Sequence, residues 1–83
     1  MNVSLLERVR DVIATTLKVP ASRLLDTTHS EQLQAWDSLG QVNIVMALEQ
    51  TFGIMIEVED FEHLNSVPAI LDYLGRQGVA EGP

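Results

Sequence analysis

The chain has 83 residues, a mass of 9.2 kDa, a net charge of −7 at pH 7 and no cysteine. This length predicts one domain with one modest hydrophobic core, too small to enclose an active site, so we expect no independent enzyme. The lack of cysteine excludes disulfides and thiolate metal sites, and no segment has the length and hydropathy of a membrane span or a secretion signal. We therefore expect a cytoplasmic monomer that does not bind membranes.

The charges are distributed unevenly along the chain. Four of the five basic residues lie within the first 23 positions, and none lies between positions 24 and 75. The acidic residues of that interval are Asp26, Glu31, Asp37, Glu49, Glu57, Glu59, Asp60, Glu62 and Asp72. Such a field repels nucleic acid and steers a partner with a basic patch toward this part of the chain. A surface that is acidic only for solubility is the alternative.

The first predicted element is an amphipathic helix over residues 3–18. Its apolar residues recur at helical spacing and are Leu5, Leu6, Val9, Val12, Ile13 and Leu17. Ser4 and Glu7 have the spacing of a capping box at its start, and Pro20 suits its end. The pattern predicts a helix with one face in the core.

A long polar connection over residues 20–36 follows this helix. Residues 21–25 are predicted to form one turn. Connections of this length are uncommon in small domains unless side chains order them or a function requires them. The side chains expected to attach the connection to the core are Leu24, Leu25, Leu33 and Trp36.

A second helix is predicted from Ser38 to Phe52, with Gly53 as its C-terminal cap. At about 100° per residue, its apolar residues form two stripes about 140° apart. The first stripe contains Ile44, Val45, Leu48 and Phe52, and the second, called the outer stripe below, contains Leu39, Val42 and Met46. A domain this small has few neighbours for two buried sides, so we expect an exposed contact surface at the outer stripe. Its inclusion in the core is the alternative.

The remaining elements are predicted from shorter patterns. Residues 54–56 should cross the core, and residues 57–64 should form one or two helical turns with Phe61 and Leu64 on one face. A last helix should begin with a Ser66 cap and end at Gly75 and Gly78. Its expected buried residues are Val67, Ile70, Leu71 and Leu74. The domain would then cover residues 1–76, with a flexible tail over residues 77–83.

Ser38 is the candidate for covalent chemistry, because its hydroxyl lies at a predicted helix N-terminus. A phosphate ester on it would lie beside the first-turn N–H groups and the positive end of the helix macrodipole. The alternatives are a serine that only caps the helix and a site of simple phosphorylation. Adjacent Asp37 and Ser38 are not arranged like the orienting residue and the nucleophile of a catalytic triad, and neither His29 nor His63 has a visible tie to Ser38. The acidic run at 57–62 lacks the order of a calcium loop. We predict neither a catalytic residue nor a metal site.

These residues resemble the acyl carrier proteins and related phosphopantetheine-dependent carriers. The resemblance centres on Trp-Asp-Ser-Leu-Gly at 36–40 and Val-Asn-Ile-Val-Met-Ala-Leu-Glu-Gln-Thr-Phe-Gly-Ile at 42–54. It continues through Ser66-Val67 and residues 70–74, so it spans nearly the whole chain. The resemblance implies an all-α fold, a small four-helix bundle with three main helices and one short helix.

The resemblance also implies a cofactor and partners. Ser38, flanked by Asp37 and Leu39, would carry 4′-phosphopantetheine, transferred from coenzyme A by a phosphopantetheinyl transferase. An acyl group would be held on its thiol as a thioester, so the chain would be a carrier and not an enzyme. The outer stripe would meet acyl-loading and acyl-processing enzymes, such as an acyltransferase, a ketosynthase or an adenylating ligase. The acidic residues expected to pair with basic patches on these enzymes are Glu49, Glu57, Glu59, Asp60 and Glu62.

Two positions depart from the pattern of fatty-acid-synthesis carriers. Gly40 and Asn43 stand where those proteins usually have acidic residues, and the second helix keeps only Glu49 as a full charge. With Trp36 before the motif, this looks more like a free-standing carrier of a polyketide or mixed polyketide–peptide pathway. The competing interpretation is an unmodified helical module that docks a partner through its outer stripe.

Overall fold

The fold, taken from a computed structural model that describes residues 4–79, is built from helices. Its main helices are α1 (Leu5–Leu17), α2 (Ser38–Phe52) and α3 (Val67–Arg76). A 3₁₀ helix at Val58–His63, called the short helix below, lies between α2 and α3. This confirms the prediction of an all-α fold with three main helices and one short one. No helix among residues 4–79 combines the length and hydropathy needed to span a bilayer.

Helix α1 begins where its predicted cap places it. The Ser4 hydroxyl accepts the N–H of Glu7 at 3.1 Å, which satisfies one of the free donors of the first turn. Lys18, in the left-handed conformation with φ of 59°, ends the helix. Its buried residues are Leu5, Val9, Ile13 and Ala14. Residue 3, the predicted start, lies outside the described residues.

The connection between α1 and α2 contains two single 3₁₀ turns, Ala21–Arg23 and Ser30–Gln32. The first confirms the predicted turn. Leu24, Leu33 and Trp36 are buried and attach the connection to the core, as predicted. Leu25 is 61% exposed, so its predicted role was wrong. Leu24 has extended backbone, and successive side chains of extended backbone point in opposite directions, so a buried Leu24 leaves Leu25 in solvent.

Helix α2 buries one of its two apolar stripes. Ile44, Val45 and Leu48 are fully buried, and Phe52 is half-buried with the Arg8 guanidinium 4.6 Å from its ring centroid. The outer stripe is exposed: Leu39 to 69%, Val42 to 42% and Met46 to 49%. The prediction that it faces outward is confirmed, and the alternative that placed it in the core was wrong.

The segment after α2 begins with Gly53, whose φ of 65° confirms it as the C-terminal cap. Ile56 is buried, but Met55 is 79% exposed, so the prediction that residues 54–56 cross the core was wrong at Met55. The short helix packs through a half-buried Phe61 and is followed by a buried Leu64. This confirms the predicted face of that segment.

Helix α3 starts at the predicted cap, where the Ser66 hydroxyl accepts the N–H of Ala69 at 3.1 Å. Gly75 lies inside the helix, so its predicted role as a terminator was wrong; Gly78, with φ of 81°, follows the end. The Val79 N–H donates to the Leu74 carbonyl at 3.0 Å. Residues 80–83 of the predicted tail lie outside the described residues.

Candidate functional site

Ser38 is the first residue of α2, and its side chain is exposed. The residue that caps the helix is Asp37, whose Oδ1 accepts the N–H of Gly40 at 2.8 Å. The interpretation in which Ser38 is the cap was therefore wrong. Within residues 4–79, the Ser38 hydroxyl has no hydrogen-bond partner. The hydroxyl is thus accessible to an external reagent.

The start of α2 also provides a favourable field for an anion at Ser38. The Asp37 cap occupies the N–H of Gly40, whereas the N–H groups of Ser38 and Leu39 have no partner among the described residues. These two donors lie at the positive end of the helix macrodipole. An anionic ester on the Ser38 oxygen would be stabilised there.

Close packing of the preceding loop fixes this first turn in place. Trp36 is 4% exposed and anchors the loop immediately before Asp37. Gly40 lies so close to that loop and to the end of α1 that a Cβ on it would be 2.7 Å from the Ala35 carbonyl oxygen and 2.9 Å from Leu17 Cδ2. A side chain at position 40 would push the loop and α2 apart. The glycine therefore lets the loop hold Ser38 at a defined position.

An open groove of about 420 Å³ begins at Ser38 and runs between α2 and the short helix. Its apolar lining includes Trp36, Val42 and Phe61, and its polar lining includes Ser30 and Asn65. The Asn65 side-chain amide has no hydrogen-bond partner among the described residues. The groove can therefore accept a chain tethered to Ser38 that is partly apolar and partly polar.

One residue of the groove, Gln41, was not identified from the sequence. Its Oε1 accepts the indole N–H of Trp36 at 2.6 Å, and its Nε2 donates to the carbonyl oxygens of Phe61 and Leu64. A signal for it was present in the sequence, because Gln41 shares a helix face with the buried Val45 and Leu48. A polar residue on a buried face needs hydrogen-bond partners, and here they come from distant segments.

The outer stripe and three of the predicted acidic residues are exposed, and each group contributes one residue to the groove. Leu39, the first residue of the stripe, directly follows Ser38, and Val42 lines the same groove. Glu57, Glu59 and Glu62 are exposed, and Glu62 also lines the groove.

Two of the predicted acidic residues have local contacts. Glu49 is half-buried, and its Oε2 accepts the N–H of Ile56 at 2.9 Å, so one carboxylate oxygen is already occupied. Asp60 is half-buried and lies beside Tyr73 of α3. Burial raises the pKa of the Tyr73 hydroxyl, and the neighbouring Asp60 carboxylate raises it further.

Most of the chain, including the residues around Ser38, matches a known protein family. The family model described as "Phosphopantetheine attachment site" matches residues 7–74. The chain is similar to an acyl carrier protein of Thermosynechococcus vestitus, with 37% identity over 82 residues that cover 96% of this chain and 100% of the relative. It is also similar to an acyl carrier protein of Petrotoga mobilis, with 35% identity over 74 residues that cover 88% of this chain and 86% of the relative. An acyl carrier protein of Buchnera aphidicola is 30% identical over 71 residues, 86% of this chain and 90% of the relative.

Proposed function

The chain belongs to the acyl carrier protein family, whose members carry a covalently attached 4′-phosphopantetheine group, and from that premise we propose that Ser38 is the attachment residue. The observation that carries the proposal is the exposed Ser38 hydroxyl, without a partner among residues 4–79, at the start of α2. The first-turn N–H groups of Ser38 and Leu39, which have no partner within residues 4–79, would stabilise the phosphodiester, and the adjacent open groove has room for the attached chain. The residues around Ser38 thus fit the group.

The group supplies a thiol on a flexible arm, on which an acyl chain is held as a thioester. The protein itself acts as a carrier and not as a catalyst. Asp37 caps α2 and so keeps the Ser38 hydroxyl at the surface, and the buried Trp36 fixes the approach of the loop. Because the chain has no cysteine, the protein has no thiol of its own to compete for the acyl group.

The proposal extends to the surface that partners recognise. Acyl carrier proteins meet a phosphopantetheinyl transferase and acyl-processing enzymes, and we assign this contact to the outer stripe together with the acidic residues of the short helix. Support comes from the exposure of Leu39, Val42 and Met46 directly after Ser38 and from the exposed Glu59 and Glu62. An apolar centre with a charged margin is typical of a specific protein interface. Basic patches on the partners would complement the charge of −7.

A polyketide or mixed polyketide–peptide pathway fits this surface better than general fatty-acid synthesis. Support comes from Gly40, where a side chain would meet the Ala35 carbonyl at 2.7 Å, so the acidic residue usual in fatty-acid carriers has no room here. Asn43 removes a second charge from α2. Acyltransferases, ketosynthases or adenylating ligases of such a pathway are the proposed partners. The proposed location is the cytoplasm, because coenzyme A, the donor of the group, is an intracellular cofactor.

The test is the intact mass of the purified protein after incubation with coenzyme A and a phosphopantetheinyl transferase of broad specificity. We expect the wild type and the control Ser22→Ala, which removes another exposed hydroxyl, to gain one phosphopantetheinyl group. Ser38→Ala should gain none while keeping its helical circular dichroism, because the Ser38 side chain makes no hydrogen bond within residues 4–79. Modification of Ser38→Ala, or no gain by the folded wild type with several transferases, would refute the assignment.

A further inference from the structure

Gln41 joins three segments of the chain through one side chain. Its Oε1 accepts the Trp36 indole N–H at 2.6 Å, and its Nε2 donates to the Phe61 carbonyl at 2.5 Å and to the Leu64 carbonyl at 2.9 Å. A glutamine amide has two N–H donors, and both are used here. We call these three hydrogen bonds the Gln41 clamp. The clamp links α2 both to the loop before it and to the short helix.

The short helix depends on such a link more than the other helices do. It has only six residues, no side-chain cap at its start and no fully buried residue. A 3₁₀ helix of this length has weak hydrogen bonds and little stability of its own. The two carbonyls that receive the clamp lie at its C-terminal end. The clamp therefore sets how closely the short helix lies against α2.

Gln41 also lies between Ser38 and the interior of the protein. It follows Ser38 by three residues, so the two share a face of α2, and both line the same groove. The buried Val45 and Leu48 lie beneath it on that face. An apolar chain attached at Ser38 would gain free energy by leaving water between α2 and the short helix. To enter there it must break the clamp, which leaves the Leu64 carbonyl without a partner among the described residues and the Phe61 carbonyl with the Leu64 N–H alone.

Resting on the proposed attachment at Ser38, we propose that Gln41 is a positioning residue that keeps α2 and the short helix closed. An acyl chain on Ser38 therefore stays in the open groove, outside the core, where a partner enzyme can reach it.

One test removes the clamp and asks whether an apolar chain then enters. Gln41→Met deletes all three hydrogen bonds and keeps an unbranched side chain, and Gln50→Met makes the same change at an exposed position of α2. Each protein is loaded with acetyl and with decanoyl phosphopantetheine, and loading is verified by mass. In wild type and Gln50→Met, we expect the two forms to melt within about 1 °C of each other; in Gln41→Met, the decanoyl form should melt about 5 °C or more above the acetyl form.

Either of two results would overturn the proposal. One is a wild type that the decanoyl chain stabilises as strongly as it stabilises Gln41→Met. The other is a Gln41→Met whose acetyl and decanoyl forms melt at the same temperature. Because each comparison is made within one variant, a general loss of stability in Gln41→Met does not affect it. Failure to load the wild type would instead count against attachment at Ser38.

A second test needs no attached group, so it separates the clamp from the attachment. In the unmodified protein, the N–H of Leu64 donates to the Phe61 carbonyl that also receives the clamp. We expect its hydrogen exchange to be about tenfold faster in Gln41→Met than in wild type, with exchange in the middle of α1 unchanged. The same should hold in Gln41→Glu, which keeps an acceptor for Trp36 but has no donor for the carbonyls. Unchanged exchange at Leu64 in both variants would refute the clamp.

Discussion

At the scale of single residues, Gly40 shows how packing can exclude a side chain from the first turn of α2. The residue lies in the first turn of α2, where the Ala35 carbonyl of the preceding loop and Leu17 of α1 occupy the space of a side chain. The carbonyl belongs to the backbone of a loop that Trp36 anchors, so it has little freedom to move. The absence of an acidic residue here is therefore a packing requirement as well as a change in surface charge.

A substitution at this glycine is expected to destabilise the protein. Gly40→Ala should lower the free energy of unfolding by about 1–3 kcal/mol, because its Cβ would overlap a backbone atom. Gly75→Ala is the matched control, since among the described residues the added Cβ would meet nothing within 4 Å apart from the local helix backbone and the adjacent residues. Alanine also favours a helix over glycine by up to about 1 kcal/mol. Urea unfolding of the two variants and the wild type measures both effects. Equal stability of Gly40→Ala and wild type would contradict the overlap.

At the scale of elements, α2 has two apolar faces in different environments. The face with Ile44, Val45 and Leu48 packs into the core, and the outer stripe faces solvent. A helix that exposes a row of apolar residues loses the stabilisation their burial would give, which monomers tolerate mainly at interaction sites. Met46 suits such a site, because its flexible thioether can pack against partners of different shape.

A charge placed on the outer stripe should impair recognition and leave the fold intact. For Met46→Lys, we expect kcat/KM of phosphopantetheinyl transfer to fall about tenfold, about 1.4 kcal/mol, because it removes an apolar contact and adds a charge that basic partners repel. The free energy of unfolding should change by less than about 0.5 kcal/mol, since Met46 is 49% exposed. Ser22→Lys adds the same charge in the α1–α2 connection. If both variants lose the same activity, the stripe has no special role.

At the scale of the whole molecule, the short helix is held between neighbours that are distant in sequence. Gln41 attaches its C-terminal end to α2, and Tyr73 of α3 lies beside Asp60 within it. Burial and then the Asp60 carboxylate raise the pKa of the Tyr73 hydroxyl above its ordinary value of 10.0. The folded protein therefore holds the phenolic proton more tightly than the unfolded chain does.

This linkage predicts a loss of stability at alkaline pH. With a raised pKa in the folded state, the contribution of Tyr73 is complete below pH 10.0 and is lost as the pH rises from there through the folded-state pKa. The difference in unfolding free energy between wild type and Tyr73→Phe should thus be constant up to about pH 9. Above pH 10.0, the wild type should lose stability relative to Tyr73→Phe. Urea unfolding of both proteins from about pH 7 to about pH 11 measures it. Parallel curves across this range would contradict the linkage.

Most of the helical architecture could be predicted because its signals are local. The Ser4 and Ser66 caps and the left-handed Gly53 depend on bonds within three or four residues. The two faces of α2 follow from helical periodicity alone. The directions of Leu25 and Met55 could not be predicted, because an apolar residue in a loop faces inward or outward according to the path of the backbone.

The sequence by itself determined the main helices, the acidic charge and the family, and it supports the proposal that Ser38 carries the prosthetic group. Only the tertiary structure decided that Ser38 lines a groove and that Gln41 is hydrogen-bonded to the loop before α2 and to the end of the short helix. The physical reason is the separation of the partners along the chain. The carbonyls of Phe61 and Leu64 lie 20 and 23 residues from Gln41 and meet it only when the short helix has packed against α2.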